Sequence, residues 1–169
     1  MKIDLLYGRK GLRVELPERV RAHVIRKHPM PLLPDPLGAV RQALEKPVGC
    51  PSLQELARRK RNACILICDI TRPVPNGLIL PPLVESLTQA GIAKENILIL
   101  VATGLHRPNE GAELAEIVGS PEILRTVRIE NHFAKDRQAH ADLGTTSGGI
   151  PIMIDRRFAE ADLKIVTGL

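Results

Sequence analysis

The chain has 169 residues, of which 44% are hydrophobic, so it is long enough for one α/β domain with a buried core. It contains no apolar run of about eighteen residues, and its start lacks the apolar core of a signal peptide, so we expect a cytoplasmic protein without membrane contact. The formal net charge is +5, but the one tight basic cluster, residues 58–61, is typical of a solvated last helical turn, and we expect no nucleic-acid partner.

The first predicted elements are a hairpin and two helices. Strand-like runs at residues 3–7 and 12–16 flank a turn with a glycine at each end, which predicts an N-terminal β-hairpin. A helix is predicted from Pro36, since an aspartate precedes this proline and can act as the N-cap. Ser52 and Glu55 have the spacing of a capping box, which predicts a second helix that ends in the basic cluster.

The centre of the chain alternates between strand and helix patterns. Residues 63–68 and 97–102 are continuous apolar runs, as expected for strands that are covered on both faces. Between them lies a helical pattern from about Leu83 to Ala90, which Gly91 ends. This order predicts a βαβ unit with parallel strands.

The pattern continues to the end of the sequence. It predicts a helix at residues 109–118, strands at 126–130 and 150–154, a short helix, and a final strand at 164–166. We therefore predict an α/β fold: a parallel sheet flanked by helices, with the N-terminal hairpin, in a single domain over residues 1–169.

Ligands bind at the carboxyl ends of the strands in open parallel sheets, so the residues that follow each apolar run are the candidates for a site. The first run is followed by Asp69, Thr71 and Arg72 in a loop stiffened by prolines. The guanidinium of Arg72 can hold a substrate carboxylate while Asp69 orients it or bonds a hydroxyl. A local Asp69–Arg72 ion pair that only braces the turn fits the same pattern.

The second run is followed by Thr103, Gly104, His106 and, further along, Asn109. Gly104 lets the backbone approach a ligand closely, and Asn109 can cap the helix that follows. Imidazoles exchange protons near neutral pH, so His106 is a candidate acid/base for a substrate hydroxyl, although a loop histidine is often structural.

Two further candidates follow later in the chain. His132 lies at the end of the third predicted strand and is either a second acid/base or a donor to a backbone carbonyl, and His140 is a weaker candidate. Residues 144–149 are rich in glycine and threonine, which suits either a phosphate cradle or a flexible turn. They lack the lysine of a P-loop.

Four motifs, at residues 69–73, 102–107, 131–132 and 144–147, resemble in content and order those of the nickel-pincer lactate racemase family. The resemblance implies a Rossmann-like N-terminal domain of a longer two-domain enzyme, an isomerase that racemises or epimerises a small 2-hydroxyacid. It also implies a nickel-pincer nucleotide, nickel pyridinium-3,5-bisthiocarboxylate mononucleotide. In this family the cofactor accepts the α-hydride and returns it to either face of a 2-keto acid, while a histidine takes the hydroxyl proton.

The resemblance also implies roles for single residues. His106 matches one acid/base histidine; the place of the second holds Ser147 or a neighbour, so either His132 substitutes for it or one histidine serves alone. Asp69 and Arg72 match positions that hold substrate or cofactor. The residues assigned to the cofactor are Thr71, Thr103, Gly104 and Arg157. The last of these is aligned with a lysine that carries the cofactor covalently, and we expect an arginine to hold it by its charge instead.

The sequence assigns no metal ligand, because the family's nickel-ligating histidine is expected beyond Leu169. We therefore expect the chain alone to be inactive, and to self-associate through an uncovered strand edge or apolar face. Two alternatives stay open. One is a non-catalytic Rossmann-like module that binds a phosphate or nucleotide through residues 144–149, and the other is a nucleic-acid binder that uses residues 58–61.

Overall fold

The computed structural model describes residues 1–168, which divide into two compact units with the boundary in the sequence after residue 32. The first unit is the predicted hairpin. Its antiparallel strands are β1 (Lys2–Leu5) and β2 (Leu12–Glu15), and an ion pair between Asp4 and Arg13 joins them across a directly opposed position.

The second unit alternates helices and strands. Its helices are α1 (Pro36–Glu45), α2 (Leu53–Ala57), α3 (Asn76–Gln89), α4 (Gly111–Val118), α5 (Pro121–Thr126) and α6 (Arg156–Ala159). Its strands are β3 (Ala63–Cys68), β4 (Ile97–Ala102), β5 (Arg128–Asn131), β6 (His140–Thr145), β7 (Pro151–Asp155) and β8 (Leu163–Val166). Within residues 1–168, no helix has the length and apolar character needed to cross a lipid bilayer.

Four of these strands form one parallel sheet in the order β5-β4-β3-β8, and β6 and β7 form a separate antiparallel pair. The predicted α/β class, with a parallel sheet flanked by helices and an N-terminal hairpin, is confirmed. Because the four strands are parallel, the loops that follow them emerge at the same edge of the sheet.

The two faces of the sheet are covered differently. One face presents Ile65 and Ile99, which are fully buried against a cluster that includes Leu80 and Leu87 of α3 and residues of α2, α4 and α5. The other face presents a smaller buried cluster that includes Leu100, and Phe158 of α6 packs on it. The helix-covered face therefore holds most of the core, and the second face is only partly covered.

The predicted starts of the first two helices are confirmed at the level of hydrogen bonds. The Asp35 side chain accepts from the Gly38 N–H, and Pro36 is the first residue of α1. Ser52 and Glu55 form the reciprocal bonds of a capping box at the start of α2. Each pair satisfies backbone donors that have no partner inside the helix.

Three elements differ from the prediction. Helix α3 begins at Asn76 rather than near Leu83, because its buried face outweighs the helix-breaking tendency of the two prolines at 81 and 82. The strand predicted at 150–154 exists as β7, but it pairs with β6, a strand that the sequence did not indicate. Helix α5, with its Ser120 cap and an initial proline, was also missed.

Helices α3 and α4 approach each other closely at a pair of glycines. A Cβ atom on Gly77 would lie 2.6 Å from the carbonyl oxygen of Gly119, whose own φ is +62°. We therefore expect Gly77→Ala to lower the free energy of unfolding by about 1–3 kcal/mol, measured by urea denaturation. Gly148→Ala is the control, since its Cβ would meet only the Thr146 hydroxyl at 3.9 Å. Equal stability of the two variants would contradict the close packing.

Candidate active site

The first part of the site lies where β3 and β4 end. Asp69 directly follows β3, is 5% exposed, and accepts hydrogen bonds from the Thr71 backbone N–H (3.2 Å) and hydroxyl (2.5 Å). Its Oδ2 lies 2.5 Å from Nδ1 of His106. Burial raises the pKa of Asp69, but the hydrogen bonds from Thr71 and His106 outweigh it and hold the pKa below its usual value. An ionised carboxylate only accepts, so Nδ1 of His106 carries the hydrogen and Nε2 is left as the proton acceptor.

Arg72 lies in the same turn but does not pair with Asp69. Its backbone N–H donates to the Asp69 carbonyl oxygen at 3.1 Å, while the carboxylate bonds Thr71 and His106 instead. Within residues 1–168 the Arg72 guanidinium, which is exposed, forms no ion pair or hydrogen bond. The bracing ion pair considered from the sequence is therefore not formed, and the charge of Arg72 is available to an anion.

The second part of the site lies where β5 ends. Nδ1 of His132 is 3.0 Å from Oδ2 of Asp155, the last residue of β7, and the two side chains are 17% and 5% exposed. Arg157 donates to both Asp155 oxygens, at 3.0 and 2.6 Å, and also to the Glu130 carboxylate and the Asn131 carbonyl oxygen. Burial raises the pKa of Asp155, but the hydrogen bonds from Arg157 and His132 lower it to about 2. This second imidazole is therefore also held by an ionised carboxylate.

Thr103 joins the two parts through the backbone. Its buried side-chain hydroxyl donates to the His132 carbonyl oxygen, and its own carbonyl accepts the His106 N–H at 2.9 Å. Gly104, which follows it, has a φ of +58°, a conformation that favours glycine. Thr103 and Gly104 thus shape the loop that carries His106, and their assignment to the cofactor stays a prediction.

Asn109 is not the helix cap that the sequence predicted. The N-cap of α4 is Glu110, and Asn109 is instead buried, where its side-chain oxygen accepts from the Ile70 N–H at 3.3 Å. Its backbone N–H and carbonyl both bond the side-chain amide of Asn131, each at 3.0 Å. Asn109 therefore fastens together the three loops that carry Asp69, His106 and His132.

Arg157 is held inside the protein by bonds to its own neighbours. Its guanidinium bonds span Asp155, Glu130 and Asn131, and its side chain is only 27% exposed. Hydrogen bonding to Asp155 raises the pKa of Arg157, although burial opposes this, so the charge is permanent. The contacts make Arg157 the partner of two carboxylates, and its role toward the cofactor stays a prediction.

The remaining sequence candidates have structural surroundings. His140 is buried, its Nδ1 donates to the Asp136 carbonyl oxygen at 2.6 Å, and its ring packs edge to face on His132 with 5.0 Å between the ring centres. Residues 144–149 cover the end of β6 and most of the turn that leads to β7, and the backbone N–H groups of Thr146, Gly149 and Ile150 all bond within the turn. These three N–H groups are therefore not available to a phosphate.

Comparison with known proteins assigns the chain to a family. A family model described as lactate racemase N-terminal domain matches residues 7–169. The chain belongs to the lactate racemase N-terminal domain family. It is 38% identical over 129 residues to lactate racemase from Lactiplantibacillus plantarum, a match that covers 76% of this chain and 30% of that protein.

A second lactate racemase, from Thermoanaerobacterium thermosaccharolyticum, is 29% identical over 170 residues, which is 98% of this chain and 39% of that protein. The solved structure of the lactate racemase apoprotein from this organism superposes with a TM-score of 0.80 at 29% identity, covering 98% of this chain and 38% of that one. The chain thus spans between about three tenths and two fifths of the length of the lactate racemases it matches.

Asp155 makes a pH-dependent contribution to the stability of this chain. The pKa of Asp155 is about 2 in the folded protein against an ordinary value of 3.8, so ionised Asp155 stabilises the fold above about pH 4 and this contribution is lost as the pH falls toward 2. We expect the difference in unfolding free energy between the unmodified protein and Asp155→Asn to shrink by on the order of 2 kcal/mol between pH 5 and pH 2. Urea denaturation at a series of pH values measures this, and a difference that stays constant would contradict it.

Proposed function

We propose that the protein containing this chain is an isomerase that racemises or epimerises small 2-hydroxyacids, and that this chain supplies its acid/base and carboxylate-binding side chains. One observation carries the proposal: His106 and His132, which emerge at the same edge of the sheet, each have Nδ1 held by a buried carboxylate. Membership of the lactate racemase N-terminal domain family supports the substrate class.

The chemistry of the site follows from these contacts. The exposed guanidinium of Arg72 binds the substrate carboxylate. Nε2 of His106 accepts the proton of the 2-hydroxyl group, and the negative charge of Asp69 stabilises the imidazolium that forms. The same nitrogen returns the proton to the product. His132, whose Nδ1 is held by Asp155, does the same for the hydroxyl group of the opposite enantiomer. A racemase that acts on both enantiomers requires such a second group.

The hydrogen on C2 needs an acceptor of another kind. We propose for it the family's nickel-pincer nucleotide, which when bound supplies a hydride acceptor. Among residues 1–168, no group of three or more His, Cys, Asp or Glu side chains is placed to hold a metal ion, so these residues alone do not fit a nickel site. The support for this cofactor is the family resemblance.

The test is racemisation by the protein at its natural length, loaded with cofactor. D- and L-lactate and larger 2-hydroxyacids are incubated separately, and the enantiomers are resolved by chiral chromatography. The same reaction in D2O distinguishes the mechanisms, because hydride return retains the original hydrogen on C2 and proton abstraction exchanges it with solvent. Racemisation without deuterium at C2 supports the proposal. Failure to racemise any 2-hydroxyacid overturns the function, and deuterium at C2 overturns the hydride step.

A further inference from the structure

Asn109 and Asn131 bond each other just beyond the point where two strands separate. The last paired residues of β4 and β5 are Val101 and Asn131. The side-chain amide of Asn131 then accepts from the backbone N–H of Asn109 and donates to its carbonyl oxygen, each at 3.0 Å. The amide thus exchanges two hydrogen bonds with one residue, as a neighbouring strand would, and it joins two loops after their strands have ended.

Asn109 extends this connection to two other segments. Its side-chain oxygen accepts from the Ile70 N–H at 3.3 Å, and its side-chain nitrogen donates to the Glu113 carboxylate at 3.1 Å. Glu113 also accepts two hydrogen bonds from the Arg107 guanidinium, each at 2.6 Å. Asn109 is 1% exposed, and its backbone and side-chain polar groups are all bonded.

The segments that Asn109 connects are those that carry the proposed acid/base groups. Each connection ends at the immediate neighbour of a site residue: the neighbours are Ile70, Arg107 and Asn131, beside Asp69, His106 and His132 in that order. Loops that follow strands open easily unless bonds hold them, and a displacement of about 1 Å can cost about 100-fold in rate. Apolar contacts would stabilise these loops as well, whereas hydrogen bonds also fix the direction of the groups that they join.

We propose that Asn109 and Asn131 are positioning residues for the acid/base reaction, and that they hold the His106 and His132 imidazoles in fixed places relative to each other. The inference rests on the proposed function, because racemisation requires both imidazoles to act on one bound substrate. An amide neither takes up nor releases a proton near neutral pH, so the two asparagines act only through the histidines.

The first measurement is of kcat and KM for the cofactor-loaded protein of natural length, with D-lactate or with the larger 2-hydroxyacid that reacts fastest. Asn131→Leu keeps the approximate size of a partly buried side chain but removes both bonds to Asn109. We expect kcat to fall about 10- to 100-fold. KM should change less than about threefold, because Asn131 does not hold the Arg72 guanidinium that binds the carboxylate.

A matched control separates positioning from loss of stability. Val127 is buried and directly precedes β5, at the opposite edge of the sheet from the site. Val127→Ala removes two buried methyl groups and should lower the urea midpoint of unfolding. Assayed under conditions in which circular dichroism shows it to be folded, this variant should keep kcat within about twofold of the unmodified protein.

A second measurement does not depend on turnover. In the natural-length protein without cofactor, the ¹⁵N shifts of labelled histidine rings report which nitrogen carries the hydrogen, and a carboxylate holds it on Nδ1 in both imidazoles. Asn131→Leu should move the shifts of His106 and His132 toward those of free histidine. Asn109→Leu keeps its backbone bonds to Asn131 and should move the shifts of His106 alone. Val127→Ala should move neither.

The outcomes separate this inference from the proposed function. If the unmodified protein racemises no 2-hydroxyacid, both fall. If it does, but Asn131→Leu keeps its kcat, Val127→Ala loses as much, or the imidazole shifts stay unchanged, the two asparagines contribute only stability and this inference alone fails. A fall in kcat that is confined to Asn131→Leu and accompanied by changed imidazole shifts supports it.

Discussion

Racemisation of 2-hydroxyacids should fall by about 10²- to 10⁴-fold in kcat when His106 is replaced by glutamine, with a much smaller change in KM. Glutamine has nearly the size of histidine and can still donate to Asp69, so the loop keeps its shape. It cannot take up a proton, so it removes the acid/base function alone. Chiral chromatography of each enantiomer over time measures the loss.

Two comparisons make this result interpretable. His28→Gln, at an exposed histidine of the N-terminal unit, should leave kcat unchanged. Asp69→Asn should also reduce kcat strongly, because the two Thr71 donors keep the amide oxygen and the amide N–H₂ then faces Nδ1 of His106. That contact favours the tautomer with its hydrogen on Nε2, which cannot accept the substrate proton. If His106→Gln retains full activity while His132→Gln loses it, the acid/base role belongs to His132 alone.

The strand ends could be predicted from the sequence, and with them half of the site. The apolar runs that became β3 and β4 are too continuous for half-exposed strands, and their order with a helix between them requires parallel pairing. The rule that ligands bind at the carboxyl ends of parallel strands then singles out Asp69, His106 and His132. The rule places them at one edge, but it does not say which side chains bond each other.

The carboxylate that holds His132 could not be found in this way. Asp155 lies 23 residues further along the chain and reaches His132 only because β7 turns back against β6 instead of joining the parallel sheet. The sequence of β6 has little of the alternation that marks a strand, and its glycine and aspartate disfavour one. The neighbouring Arg157 was noticed for its charge, but its partner Glu130 lies on β5, and pairing across such a distance follows from topology alone.

Removing Arg157 should destabilise the protein more than any surface substitution. Arg157→Met keeps the aliphatic part of the side chain but leaves the buried Asp155 carboxylate and the half-buried Glu130 carboxylate without the cation that they share. Breaking such a pair by removing one partner costs about 3–5 kcal/mol when both are fully buried. Since the Arg157 side chain is 27% exposed, we expect a loss of about 2–4 kcal/mol in the free energy of unfolding at pH 7.

The pH dependence of this loss identifies its cause. Burial raises the pKa of Asp155, and the hydrogen bond from Arg157 is the largest effect that lowers it. In Arg157→Met the pKa of Asp155 should therefore rise. Protonation then relieves the uncompensated charge, and the stability difference between the two proteins should shrink as the pH falls from 7 to 3. Arg125→Met, at an exposed position on α5, should match the unmodified protein throughout. A difference for Arg157→Met that stays constant with pH would show that Arg157 contributes by packing its hydrocarbon chain rather than by neutralising the two carboxylates.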